Sequence, residues 1–328
     1  MRLRRIYTCL IILFCLLFFP VSVLPALDLQ LIGTEEDELE PGGTLRLLAL
    51  PGAEIGYIEA VITDGEGGVI SSARGFSLDY LEIDGWLIIL GIPSTAAPGA
   101  YTAEVSGETA GTRFRERLPL VIGTRNFLKE AIALNRKMSE LRSVPDPKKA
   151  EQARMMWALM NRFRPASRFH SGAFILPLTA KRVSSYFGDR RTYEYSDGGR
   201  AGAVHNGIDF AADEGTPVSA AASGEVVFSG TLIITGTTVM IEHLPGIYTL
   251  YYHLLESTVK TGEKVEQGAR IGSVGSTGLV TGAHLHWEVR VSGVAVEPFS
   301  LVENALVDKL RIISSIDQAE GSEQALEP

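Results

Sequence analysis

Cysteine is nearly absent: the 328 residues hold two, Cys9 and Cys15. Both lie in the apolar run IYTCLIILFCLLFF near the N-terminus, so the chain beyond it can form neither a disulfide nor a thiolate metal site. Phe14 stands where a lipid-attachment signal would place a small residue ahead of Cys15, which argues against a lipid anchor there. Positive charge is also short, with 30 Lys and Arg against 39 Asp and Glu and a formal charge of −9. Without Arg2, Arg4 and Arg5, each contributing +1, the body carries −12. So acidic a body argues against nucleic acid as a partner, because phosphate binding needs a basic face. Histidine is sparse too, at six residues.

The basic MRLRR followed by the apolar run, Pro20 and VSVLPA reads as an export signal over residues 1–27. Ala26 suits a cleavage site and Leu24 does not suit the position two before it. Cleavage and an uncut membrane anchor therefore both stay open, since Ile6 to Leu27 supplies the roughly 20 residues that span a bilayer. The expected location is the periplasm or cell envelope.

Beyond the signal the chain reads as mainly β. Residues 28–123 alternate short apolar runs (TLRLLAL, YIEAVIT, WLIILGI, YTAEVSG) with Gly and Pro clusters, the pattern of an immunoglobulin-like β-sandwich. The acidic TEEDELEPGG that opens it reads as a solvated loop. Over 124–168 the period changes. Phe127, Ala131, Leu134, Met138 and Leu141 fall on one helical stripe that VPDP must end, and a second helix from about Pro147 to Phe163 carries Ala153, Met156, Trp157 and Met160 on its apolar side. These predict a helical hairpin linker whose Met and Trp cluster packs internally or between domains. Residues 169–303 return to strands with frequent glycines, and 304–328 form a C-terminal tail whose polar end, DQAEGSEQALEP, is expected to fray.

Five of the six histidines, His205, His243, His253, His284 and His286, fall in this second strand-rich region; His170 lies on its approach and is expected to be exposed. In the strand GAHLHWEV, alternation points His284 and His286 to one face and Leu285 to the core. In HNGIDF, Gly207 is expected to bend the backbone so that His205 and Asp209 converge. Two imidazoles and a carboxylate make an N2O set suited to zinc with a fourth position left for water, the open arrangement of a catalytic site. Isolated histidines at strand ends are more often plain polar residues, but two such clusters in one domain are hard to explain that way.

Over about residues 171–300 the sequence resembles the lysostaphin-like (LytM-domain, M23) family of zinc metallopeptidases, which cut peptide bonds in bacterial peptidoglycan. The resemblance rests on SSYFGDRR, HNGIDFAADEGTPVSAAASGEVVFSG, LYYHL, the VGSTG stretch and TGAHLHWEV. It implies a LytM-type antiparallel β domain over 169–303, one zinc ion held by His205, Asp209 and His286, and catalytic work by His253 and His284. One of those two imidazoles is expected to accept a proton from water, with His284 preferred, and the other to stabilise the oxyanion when protonated. His243 is expected to be structural, and Tyr251 to share the strand face of His253. Glu288 shares a face with the histidine pair but has no role in the family pattern, and GSVGSTG reads as a turn beside the groove rather than a phosphate loop. Two stretches depart from the pattern. TYEYSDGGRAGAV, after Arg191, is long enough to loop over the groove, and Glu242-His243-Leu244 stands where the family has D-H-G.

The expected activity is a zinc-dependent endopeptidase acting on peptidoglycan. The competing expectation is a noncatalytic LytM-like envelope protein that activates another wall hydrolase. Such relatives lack one or more ligands, whereas this chain retains all three and both further histidines. The upstream domain or helices would then serve to dock an envelope protein or to cover the groove.

Overall fold

The computed structural model describes residues 28–31, 39–50 and 54–324; the expected signal or anchor, both cysteines and most of the acidic opening lie outside them. Among the described residues no helix is long and apolar enough to cross a membrane. The strand Trp86–Gly91, WLIILG, shows why the chain layers as it does. It has no polar face, and both of its faces are buried. Ile88 and Leu90 pack with Leu45, Leu47 and Ala49 against Ile58, Ile62, Ala103 and Val105 of a second sheet. Leu87 and Ile89 point the other way, into the core of the C-terminal unit.

The first sheet runs in the order Asp28–Leu31, Thr44–Leu50, Trp86–Gly91, Phe76–Ser77, and the second in the order Val69–Arg74, Ile55–Thr63, Gly99–Thr109, Thr112–Ile122. Alternation is clean in Gly99–Thr109, where Tyr101, Ala103 and Val105 are buried and the residues between them are not. Ala110 and Gly111, both at positive φ, link this strand to its partner, as a two-residue hairpin turn demands.

The C-terminal unit is a ten-stranded antiparallel sheet. Its main path runs Arg182–Ser185, Ile208–Ala211, His284–Val291, Ile247–Ser257, Gly236–Leu244, Gly224–Leu232, Lys264–Val265. Leu285, Trp287, Val289 and Tyr251 fill its core.

Between the two units the structure corrects the expected helical stripe. Lys129–Ala133 is a strand, paired in parallel with Arg190–Glu194, and a helix begins only at Arg136. The spacing of four and three that suggested a helix is overridden by a sheet edge. Arg190–Glu194 and Arg200–Val204 form a hairpin whose outer strand needs a partner, and Lys129–Ala133 supplies it. Asn135 then caps Arg136–Ser143 by accepting from the Met138 amide at 3.0 Å, and Asp146 caps Pro147–Met160 from Lys148 at 2.8 Å. Met156 and Met160 are buried with Leu232, Met240, Tyr248, Leu250 and Tyr252, while Trp157 is 57% exposed and takes no part in that packing.

Two other expectations are overturned. The helix Lys309–Gln324 runs into the polar end expected to fray, of which residues 325–328 lie outside those described, and upstream of that end Ile312 and Ile316, one turn apart, join Leu306 and Val307 against the main core. His170 is buried, its ring 5.3 Å from that of Phe174, and loss of solvent pushes its pKa down.

Candidate metal centre

Antiparallel register places Asp209 opposite His286 and Ala211 opposite His284. The two strands approach so closely that a Cβ on Gly207 would lie 2.3 Å from the Trp287 carbonyl oxygen. That contact, rather than the expected bend, is what glycine permits here, since Gly207 is absent from the positive-φ residues. His205 follows the hairpin strand Arg200–Val204 and is fixed through its main chain. Its amide donates to Asp189 O at 2.9 Å and its carbonyl accepts from Gly188 at 2.7 Å.

The outer hydrogen bonds decide which ring nitrogens face inward. His205 Nδ1 lies 2.7 Å from the Tyr186 carbonyl, an acceptor only, so it carries the proton and leaves Nε2 bare. His286 Nε2 lies 2.9 Å from Glu288 Oε1, which orients Nδ1 inward. The inward atoms, His205 Nε2, His286 Nδ1 and Asp209 Oδ1, are separated by 2.9, 3.1 and 2.7 Å. A tetrahedron of about 2.0 Å metal bonds has edges of about 3.3 Å, and two nitrogens with a carboxylate oxygen match zinc's preferences, so the donor set fits the ion. All three residues are buried.

Charge around the set is strongly polarised. Burial alone would raise Asp209, but hydrogen bonds and charge from His205 and His286 hold its carboxyl well below the usual range. Burial lowers His286, yet Asp209 and Glu288 outweigh it and lift the imidazole to about 9. His205 goes the other way, pushed down chiefly by burial. A cation entering this set therefore displaces a proton from His286.

His253 and His284 reach the same groove with ring centroids 4.9 Å apart. His284 Nδ1 is 2.9 Å from Gly282 O and His253 Nδ1 is 2.8 Å from Thr277 O, so each presents Nε2 to the cavity. His284 Nε2 lies 3.7 Å from Asp209 Oδ1. His253 sits at φ 62°, a conformation that L-residues seldom adopt and that breaks strand alternation. The expected pairing of Tyr251 with His253 on one face fails for this reason. Tyr251 is a core residue whose hydroxyl accepts from the Ala221 amide at 2.8 Å. It is Tyr252 that stacks on His286, with centroids 5.2 Å apart and planes at 4°. Burial first, then His284 and His286, push His253 down to about 3, so this imidazole is neutral and the protonated form expected of one auxiliary histidine is disfavoured here.

Residues that the motifs did not single out complete the centre. Glu288, buried, accepts from His286 and is held by Arg290 at 2.6 Å. Burial pushes its carboxyl up, but Arg290 and His286 prevail and keep it at about 2. Arg191 reaches Asp209 Oδ2 at 2.5 Å, leaving Oδ1 to the inward set, and also contacts Glu130 at 3.3 Å. Alternation carries the signal for Glu288 and Arg290, which follow His284 and His286 at steps of two. Thr277, from the loop read as a turn, anchors His253. His243 is fully buried, its nitrogens 2.8 Å from Ser223 O and 2.7 Å from Thr249 Oγ1, with burial lowering it to about 3.

The groove has a volume of about 660 Å³. The stretch expected to loop over it is the ordered hairpin Arg190–Glu194 and Arg200–Val204, which forms one wall together with Glu130–Leu134.

Residues 203–298 match the family model described as Peptidase family M23. The chain is 44% identical over 130 residues to the DD-carboxypeptidase/endopeptidase Mpg of Neisseria meningitidis serogroup B, covering 40% of this chain and 29% of that protein. It is 43% identical over 122 residues to the peptidoglycan DD-endopeptidase ShyC of Vibrio cholerae serotype O1, covering 37% and 28% respectively. The chain thus matches under a third of the length of these curated relatives. A solved Pseudomonas aeruginosa structure described as a peptidase M23 superposes with a TM-score of 0.57 at 25% identity, covering 81% of this chain and 95% of that one.

Proposed function

The chain carries a peptidase family M23 domain over residues 203–298, and from that premise we propose that it is a zinc-dependent endopeptidase hydrolysing peptide bonds in the stems or cross-links of bacterial peptidoglycan. The observation that carries the proposal is the convergence of two inward-facing imidazole nitrogens and a carboxylate oxygen beside two further imidazoles that present Nε2 to the same groove. His205, Asp209 and His286 would hold one zinc ion. Bound there, zinc supplies an acidified water and polarises the scissile carbonyl.

His284, whose side chain is 17% exposed, accepts the water's proton at Nε2 and delivers it to the leaving amine. His253, neutral and with Nδ1–H committed to Thr277, enters as an acceptor that orients the water. Glu288 and Arg191 fix the faces of His286 and Asp209. The same proposal places the protein in the periplasm or cell envelope, with residues 28–123 as an immunoglobulin-like module, and with envelope-protein docking and N-terminal anchoring as roles for the upstream region. The noncatalytic alternative is disfavoured by the complete ligand set.

The test is release of soluble peptides from purified peptidoglycan by the full chain, with and without zinc, beside a His284→Ala variant that keeps all three ligands. Zinc-dependent release, reduced by about 10²-fold or more in the variant, is the expected result. Equal release by both proteins, or none from the zinc-loaded wild type, would overturn the proposal.

A further inference from the structure

Arg142 ends the helix Arg136–Ser143 and lines the groove with the candidate metal ligands. Its guanidinium carbon lies 3.8 Å from the centroid of the Tyr193 ring. Its Nε is buried without a hydrogen-bond partner. In a body so rich in acid, a partly buried guanidinium whose Nε is left unpaired is unusual. An orphaned buried donor costs free energy, and with Nε occluded it is the outer edge of the guanidinium that the groove offers to a ligand. Stacking on tyrosine holds the planar fork in one orientation, which lowers the entropy lost when it grips a carboxylate by two parallel hydrogen bonds.

Position along the wall sets the register. Arg191 and Tyr193 are two apart on the strand Arg190–Glu194 and so share a face. Arg191 holds Asp209 at the metal end. Tyr193, about 7 Å further along at the usual rise of a strand, carries Arg142. Ile132 stands opposite Tyr193 in the parallel pairing, so both the linker and the hairpin build this end of the groove. Arg142, Tyr193, Arg191 and Ile132 all lie outside the matched segment 203–298.

Resting on the endopeptidase reading, we infer that Arg142, stacked on Tyr193, is an anion subsite that grips a carboxylate of the peptide substrate about two residues from the scissile bond. The carboxylate is either the free C-terminus of a stem peptide or a side-chain carboxylate along it. The hairpin and linker thereby select substrate, while the matched domain performs the chemistry.

The experiment measures the affinity of fluorescently labelled synthetic stem peptides for the metal-free full chain by anisotropy. Three peptides are compared: unmodified, amidated at the C-terminus, and amidated at the side-chain carboxylates. Each is titrated into wild type, Arg142→Gln and Arg142→Lys. Arg142→Gln weakens the unmodified peptide by about tenfold or more, and Arg142→Lys, which keeps the charge but loses the fork, by less. One amidation weakens wild-type binding by the same factor and makes the peptide indifferent to Arg142→Gln, which identifies the carboxylate. Losses that simply add, amidations without effect, or no peptide binding by wild type would each overturn the inference. Because binding is read without zinc or turnover, tight carboxylate-dependent binding with no peptide release refutes the endopeptidase reading alone. Release with carboxylate-blind binding refutes the subsite alone.

Discussion

Glu288 supplies no atom to the inward donor set, yet it decides which nitrogen of His286 joins that set. A neutral imidazole has one donor and one acceptor nitrogen, and the carboxylate 2.9 Å from Nε2 takes the proton there. Arg290 in turn keeps the carboxylate charged in a buried position. Glu288→Gln removes that charge and leaves Arg290 without its ion pair while preserving side-chain volume. Zinc affinity, measured by competition with a chromophoric chelator, is expected to fall about 10- to 100-fold. Unchanged affinity would show that Glu288 merely packs. The candidate donors were legible from HNGIDF and HLH because each motif puts its residues within one strand or one turn, where alternation and short reach govern, although the choice of His286 over His284 came from the family resemblance. Arg191 and Glu130 were not, because the contacts of Arg191 with Glu130 and with Asp209 depend on pairing between segments about 60 and 20 residues apart, which no local period encodes.

At the scale of elements, strands with one buried face could be read from alternation, and those with two buried faces, such as WLIILG, from their unbroken apolar run. The reading failed where tertiary pairing overrode local preference. Lys129–Ala133 satisfies a helical stripe yet lies as a strand, and His253 leaves the alternation of its own strand by adopting a positive φ. The C-terminal helix is the third such case. Fraying was expected of its polar end from Asp317 onward, and two isoleucines one turn apart just upstream dock the helix that runs into it. Ile312 is 2% exposed and Leu310 is 80% exposed on the same helix. Ile312→Ala is therefore expected to cost about 2–4 kcal/mol in denaturant unfolding, while Leu310→Ala changes stability by no more than about 0.5 kcal/mol. Equal small effects at both positions would mean that the segment is not docked.

For the whole molecule, the first sheet is not an appendage. Leu48, Leu87 and Ile89 belong to the same buried cluster as Phe210, Trp287 and Val296, and each such aliphatic side chain contributes about 1.5–3 kcal/mol by leaving water. Contact there is close enough that a Cβ on Gly91 would lie 2.9 Å from Val294 Cβ. Polar links reinforce it, since Arg190 donates to Ser94 O at 2.6 Å, Arg46 to Ala305 O at 2.7 Å, and Arg125 pairs with Glu297. Separate domains of a chain this long commonly unfold in steps, but a shared core couples their loss. Heating is accordingly expected to give one calorimetric transition whose van't Hoff and calorimetric enthalpies agree. Zinc, binding only the folded site, shifts that transition upward as a unit. Trp86 in the first sheet and Trp287 beside the candidate metal ligands provide local probes of the two units. With the other tryptophans replaced by phenylalanine, both are expected to report the same midpoint with and without zinc. Midpoints that separate, or a zinc response confined to Trp287, would show that the common core does not bind the two units into one cooperative structure, and that the upstream sheets can part from the candidate metal groove without unfolding it.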